Sequence, residues 1–513
     1  MDTYSMFHNY LEDSQNIYDI MAAAYKMNEP YESSDLLGHD FYLQNIISIY
    51  SETEDKEKAW YNLKIDLRDW NNNQRNTVQE QLKAKFFYLI RLIDHKCAKK
   101  EFPLSSSFYE YTTLNTLLAD EIIILPRFDS IPIQQLSNAI IEEDENESGF
   151  RRRNQSCTGY VFGQLTNYII LKNYCNVKPI MHVTDFADEM LGDLQKKKFQ
   201  LKIAIFPSSN RNIRRLFHVK ETKLRNDRGL FSIKSPKGDY EDLMFQYCKE
   251  ALLHCKVEGV DIAVFPEMLF TNKIYEEICK FVREYYESET NIWKEGEFPW
   301  LTWLGTTWFD GKNTCRVIDR YGRSVFEQNK IIPYIYKDEG RIYHEELSVK
   351  DVTKRVHFID VPNLFRIATA ICRDVSDDYL KTLFKAVYSD LLIVPAFSNS
   401  DEMTSRNIAP LVQECIIAIV CNACSSICTK HQEKLDMKKE DMGRNLPFCY
   451  LCLPGKEKGE GNDNGNTLDF HKVQYNIKCV ACNYNCPGHF FTISFLESVD
   501  MGDYFAARIT YAK

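Results

Sequence analysis

From residue 200 onward one pattern recurs: a short, almost wholly apolar run, then an amphipathic segment of helix length. The runs are "LKIAIFP" (201–207), "VDIAVFPE" (260–267), "RIATAIC" (366–372) and "DLLIVPAF" (390–397). Between them lie "YEDLMFQYCKEALLHCKVEG" (240–259), which should end as a helix at its glycine, "YEEICKFVREYYE" (275–287) and "YLKTLFKAVYS" (379–389). Strands alternating with helices require sheets inside and helices outside, an α/β class. The hairpin-like pairs near "LTWLGTTWF" and "CRVIDRYG" argue against a simple doubly wound sheet.

At 513 residues the chain needs two or three domains. Residues 1–195 read as a mainly helical N-terminal region, with "LKAKFFYLIRLIDHKCAKK" a packed helix and "YVFGQLTNYIILKNY" (160–174) another. Residues 196–513 form the second unit, with a Cys-rich C-terminal part. A net charge of −10 excludes a general nucleic-acid coat, leaving only local basic groups such as Arg151–Arg153 and Arg211, Arg214 and Arg215. No apolar stretch of membrane-spanning length and no basic-then-apolar leader is present, so a cytoplasmic location is expected. The 17 cysteines are then reduced thiols or metal ligands rather than a disulfide scaffold.

Three residues stand where strands end. Glu267 follows a buried run and a proline; by itself it could equally be a surface glutamate opening a helix. Lys330 in "EQNKIIPY" has an apolar setting, where it could snorkel or, paired with an acid, stay charged beside an oxyanion. Cys372 closes "RIATAIC", and most cysteines at such positions are inert small hydrophobes.

The order Glu, Lys, Cys in these surroundings resembles the carbon–nitrogen hydrolase (nitrilase) superfamily over residues 198–513. "VDIAVFPEM", "CRVIDRYGRSVFEQNKIIPY", "LFRIATAICRD", and "DLLIVPAFS" with "QECIIAIVCN" are each similar to a family segment, and they occur in the family's order. The resemblance implies a four-layer α-β-β-α sandwich, a homo-oligomer and a small-molecule amide substrate. It implies Glu267 as general base, Cys372 as nucleophile forming a thioester, and Lys330 with the backbone N–H of Arg373 as oxyanion donors. A thiolate available near neutral pH, favoured by the lysine, fits that role. A second family glutamate falls in "GRIYHEELSVK", where Glu346 is preferred over Glu345. The chain departs from the family at Phe365 and Ala368, where glycines are usual, and at Arg373, usually aromatic. If the Arg373 side chain faces the pocket, it would favour an acidic or phosphorylated substrate.

No cofactor is needed for that chemistry, but structural zinc is a candidate. Cys479, Cys482, Cys486 and His489 repeat the C-x2-C-x3-C-x2-H spacing of Cys421, Cys424, Cys428 and His431. Against the first copy, Cys421 sits in an apolar strand-like run. The class alternative to an amidase is a non-catalytic nitrilase-like assembly or regulatory module, part of a nucleic-acid-associated or defence system, whose N-terminal region binds a protein partner. Complete retention of Glu267, Lys330 and Cys372 weighs against it.

Overall fold

The computed structural model describes residues 3–27, 41–97, 109–111, 118, 121–126, 168–173, 177–184, 186–197, 200–207, 217–221, 228–233, 240–287, 296–309, 311–338, 341–347, 354–361, 365–387, 389–398, 401–412, 416–423, 449–456, 470–477, 489–494 and 508–511. Helices α1 (Thr3–Asp13), α2 (Ile17–Met27), α3 (Phe41–Glu52), α4 (Lys56–Asn73) and α5 (Gln79–Cys97) come first. Strands β1 (Tyr109–Tyr111), β2 (Ile122–Pro126), β3 (Tyr168–Lys172) and β4 (Val177–Val183) precede α6 (Ala187–Lys196). Next come β5 (Gln200–Ile205), β6 (Phe217–Glu221), β7 (Arg228–Ile233), α7 (Tyr240–Glu258), β8 (Ile262–Val264) and α8 (Asn272–Glu287). Then follow β9 (Leu301–Phe309), β10 (Lys312–Asp319), β11 (Ser324–Asn329), β12 (Ile335–Asp338), β13 (Arg341–Glu345), β14 (Lys354–Val361) and β15 (Phe365–Thr369). A 3-10 turn at Cys372–Ser376 leads into α9 (Asp378–Ala386), β16 (Leu391–Ala396), α10 (Asp401–Val412) and β17 (Ile417–Asn422). The last strands are β18 (Cys449–Lys456), β19 (Phe470–Ile477), β20 (His489–Ser494) and β21 (Arg508–Tyr511).

Two large sheets form. One has eight strands in the order β1-β4-β14-β15-β16-β17-β18-β19, the other seven in the order β11-β10-β9-β8-β5-β20-β21. Strand alternation explains how they are covered. Ile203 and Ile205 of β5 and Ile262 and Val264 of β8 pack into one core with Phe358 of β14 and Ile367 of β15, so the sheets meet face to face. The residues between them, Ala204 and Ala263, turn the other way, and with Phe206 and Phe265 they join Met244 and Cys248 of α7 and Ile274 and Ile278 of α8. Those helices therefore cover the outer face of the seven-stranded sheet. On the eight-stranded sheet, α10 packs against β17 and β18. Helix α7 does end at a glycine: Gly259 takes φ +64°, which suits a residue without a side chain.

The N-terminal helices have their own core, built on Phe7, Trp70, Phe86 and Phe87. The two-stranded ribbon β2-β3 lies between this core and the sheets. Ile122 and Ile124 face the helices, while Ile123 belongs to the inter-sheet core. Within the segment expected to be a helix (160–174), residues 168–172 are instead the strand β3, antiparallel to β2. "YIIL" is β-branched and aromatic, and a second apolar run exists to pair with it. Strand β4 pairs in parallel with β14, so the large sheet draws on residues before position 196. Among the described residues, no helix is long and apolar enough to cross a membrane.

Candidate active site

Glu267 lies three residues beyond Val264, the last residue of β8, buried to 1% exposure. The bend is tight: Met268 takes φ 63°, and its N–H donates to Thr306 Oγ1 at 2.8 Å. Across the bend Gly305 sits at φ +59°, so close that a Cβ there would come within 2.0 Å of the Pro266 carbonyl oxygen. Only glycine lets β9 approach the peptide that carries Glu267.

Lys330 follows β11, and its N–H bonds the Asn313 carbonyl of β10 at 2.8 Å. Its ammonium lies 2.8 Å from Glu267 Oε1 and 2.8 Å from Glu345 Oε2, with all three side chains fully buried. Asn313, buried on β10, donates both amide hydrogens: 2.7 Å to Glu267 Oε1 and 3.0 Å to Glu345 Oε1. The Tyr334 N–H donates to Glu345 Oε2 at 2.9 Å. Every contact here runs from a donor to a carboxylate oxygen. Among the described residues Glu267 Oε2 has no hydrogen-bond partner.

The second glutamate is therefore Glu345, not Glu346. Neighbours on a strand point to opposite faces, and the one that turns to Lys330 is Glu345, the last residue of β13. Glu346 is half-buried, and its N–H bonds the Phe231 carbonyl at 2.8 Å.

Cys372 comes from the other sheet. It follows β15, is 4% exposed and takes φ 48°, a left-handed conformation that is strained for a residue with a side chain. Asp374 holds the turn. One carboxylate oxygen accepts the Ile331 and Ile332 N–H groups at 3.0 and 2.7 Å, and the other accepts that of Ile371 at 3.1 Å. It thus ties the segment after Lys330 to the turn that presents Cys372. Further bonds span the sheets: Trp303 Nε1 to Thr369 Oγ1 at 2.9 Å, and Gln328 Nε2 to the Thr369 carbonyl at 2.8 Å.

The protonation states follow from burial and charge. Burial works against the Lys330 ammonium, but Glu267 and Glu345 outweigh it and hold the group well above its ordinary value. Burial pushes the Glu267 carboxyl up, opposed by Lys330. The Cys372 thiol is pushed up by burial first and by Glu267 second, against the pull of Lys330 and the Phe397 N–H. The thiolate expected near neutral pH is therefore not the resting form. Desolvation outweighs the lysine, whose charge is already matched by two carboxylates.

Arg373 is half-buried in the 3-10 turn directly after the nucleophile position. Cys421 lies in β17 with its thiol 3.4 Å from the Val264 carbonyl, a core position between the sheets. Cys424, Cys428, His431, Cys479, Cys482 and Cys486 lie outside the described residues. His489 opens β20 opposite Ile205. Among the described residues no cluster of three or more metal-ligating side chains occurs. Asn313 is a site residue that sequence reading did not single out, Asp374 one to which it gave no role, and Glu345 one that it ranked below Glu346. Asn313 sits mid-hairpin in "KNTC" with nothing local to mark it.

No protein-family model matches the sequence, and no curated protein is significantly similar to it. The solved structures to which the chain is structurally similar include amidases and other members of the nitrilase superfamily. One is the crystal structure of an amidase from Nesterenkonia sp., at 11% identity and TM-score 0.29 over 44% of this chain and 76% of that one. Another is Nit3 of Saccharomyces cerevisiae, a branch 10 member of the superfamily, at 12% identity and TM-score 0.28 over 44% and 75%. A third is a mutant of the Nesterenkonia sp. AN1 amidase with acrylamide added at its active-site cysteine, at 12% identity and TM-score 0.28 over 44% and 79%. With overlaps this slight, the chemistry must stand on the site's own geometry.

Proposed function

We propose that the chain is a hydrolase of non-peptide carbon–nitrogen bonds, acting on amides through Glu267, Lys330 and Cys372 in a four-layer α-β-β-α sandwich. The observation that carries this reading is convergence. Glu267 and Lys330 from one sheet, contacting at 2.8 Å, meet the strained Cys372 turn of the other. Three strand-end residues far apart in sequence have no packing reason to share a buried site.

In the proposed reaction Glu267 Oε2, free of other hydrogen bonds, takes the Cys372 proton as Sγ bonds to the amide carbon. A protonated resting thiol requires such a base. Of the three Lys330 ammonium hydrogens, two serve Glu267 and Glu345, which leaves one for the developing oxyanion. The Arg373 N–H is the second donor. As the C–N bond breaks, Glu267 returns its proton to the leaving nitrogen and a thioester remains. Glu267 then deprotonates water, which attacks the thioester carbon; collapse releases the acid, and the sulfur recovers its proton from Glu267. Glu345 and Asn313 position the lysine and the base.

The test is labelling by chloroacetamide, read by peptide mass spectrometry beside ammonia release from simple amides. Modification should concentrate on Cys372, and Glu267→Gln should lose it while turnover falls about a hundred- to ten-thousand-fold. Labelling spread over many cysteines and indifferent to Glu267 would rule the mechanism out and favour a non-catalytic module.

A further inference from the structure

Among the described residues, Arg373 is a cation beside this site without an ion-pair partner. Its Nε is shut off from solvent without a hydrogen-bond partner. The carboxylates of the Lys330 cluster are paired with other groups: Glu267 Oε1 with Lys330 and Asn313, Glu345 with Lys330, Asn313 and the Tyr334 N–H. The backbone that carries Arg373 is pinned. Asp374 accepts three backbone N–H groups, and Ser376 Oγ donates to the Arg373 carbonyl at 2.7 Å.

The Arg373 side chain is also near the Lys330 cluster. The Tyr334 ring centroid is 5.9 Å from the Lys330 ammonium. That phenol lies within electrostatic range of Cys372, Lys330, Glu267 and Arg373 together. A guanidinium Nε buried without an acceptor is costly to keep. Its planar fork of donors matches an oxyanion bidentately, which a lysine or an aromatic residue there could not do.

Resting on the reading of Cys372 as nucleophile, we infer that the amide substrate carries an anionic group, a carboxylate or phosphate, held by the Arg373 guanidinium. Arg373 then has two separate parts: its N–H faces the reacting carbonyl, and its side chain selects the substrate.

The experiment compares succinamate, 3-phosphonopropanamide and the neutral butyramide as substrates of the full chain and of Arg373→Leu and Arg373→Gln. The wild type should favour one of the two anionic amides over butyramide by about thirtyfold in kcat/KM, the scale of a charge-assisted bidentate contact. The preferred anion tells carboxylate from phosphate. Both variants should erase that preference, chiefly through a raised KM for the anionic amides. Calorimetric binding of the same amides to Cys372→Ala, with and without Arg373→Leu, gives a readout that needs no turnover. If neutral amides are hydrolysed with no anion preference, or if the variants impair all three substrates equally, the inference fails while the hydrolase reading stands. If no amide is turned over but Arg373-dependent anion binding persists, the hydrolase reading fails alone. If Cys372→Ala binds neither anion, the inference is overturned.

Discussion

Replacing Glu345 by glutamine tests the site's polarity with little change of shape. Glu345 accepts hydrogen bonds at both oxygens: Oε1 from Asn313 at 3.0 Å, and Oε2 from Lys330 at 2.8 Å and the Tyr334 N–H at 2.9 Å. A glutamine keeps one acceptor. Placed toward Lys330 and Tyr334, it turns its NH2 on the Asn313 NH2, donor against donor. Asn313 cannot flip to relieve this without presenting its oxygen to Glu267 Oε1, which it now serves at 2.7 Å. At least one hydrogen bond to a charged group is lost in a fully buried setting, about 1.5–3 kcal/mol. If that loss falls on the transition state, turnover drops about ten- to a hundredfold, since 1.4 kcal/mol is one decade. Steady-state ammonia release should show the fall in kcat with KM little changed. The neighbouring Glu346→Gln should leave kcat within about twofold, as expected away from the reacting groups. Equal losses in the two variants, or an active Glu345→Gln, would refute the assignment and the network argument with it.

Gly305→Ala should be more damaging than the same change at Gly192, Gly259, Gly296 or Gly322, because the new Cβ would meet the Pro266 carbonyl at 2.0 Å. Activity should fall with stability, read by urea denaturation and turnover together. Asp374→Ala strips three backbone N–H groups, that of Ile371 fully buried and those of Ile331 and Ile332 partly, of their acceptor. About 3 kcal/mol of stability or more should go, and a urea midpoint equal to the wild type would contradict the clasp. The buried pair His182 and His357, 2.7 Å apart, predicts acid sensitivity. Burial lowers His182 to about 4 and His357 to about 3. The unfolded chain protonates these rings near pH 6.5, so it binds more protons than the folded one below that pH. Stability is full above 6.5 and falls as pH drops toward 4, by about 3 kcal/mol for His182 alone. Urea titrations from pH 7 to 4 should show this slope, and a His182→Leu/His357→Leu double variant should flatten it.

Strands β5, β8, β15 and β16 were legible because each is an apolar run bounded by proline, glycine or charge; "VDIAVFP" and "DLLIVPAF" admit little else. Glu267, Lys330 and Cys372 were legible for the same reason, since each stands where such a run stops. Glu345 was not separable from Glu346, because which face of β13 turns inward is set by pairing with β7 and β12, contacts that no local pattern encodes. The strand β3 was hidden similarly: its partner β2 lies more than forty residues away, and periodicity within a short apolar run does not distinguish helix from strand. Asn313 and Asp374 act through bonds to other strands and carry no signature of their own. The resting thiol was misjudged because the lysine was weighed without the two acids that neutralise it.

Glu267 and Lys330 ride on the seven-stranded sheet, and Cys372 rides on the eight-stranded one. In the proposed reaction the distance between them is thus also a measure of how far two independently twisted layers have slid past each other. Drift in the apolar filling between them, at residues that never meet a substrate, would be felt as a change in the gap that a proton must cross. The cross-ties at Trp303, Gln328 and Asp374 act as a vernier that holds the slide at one setting.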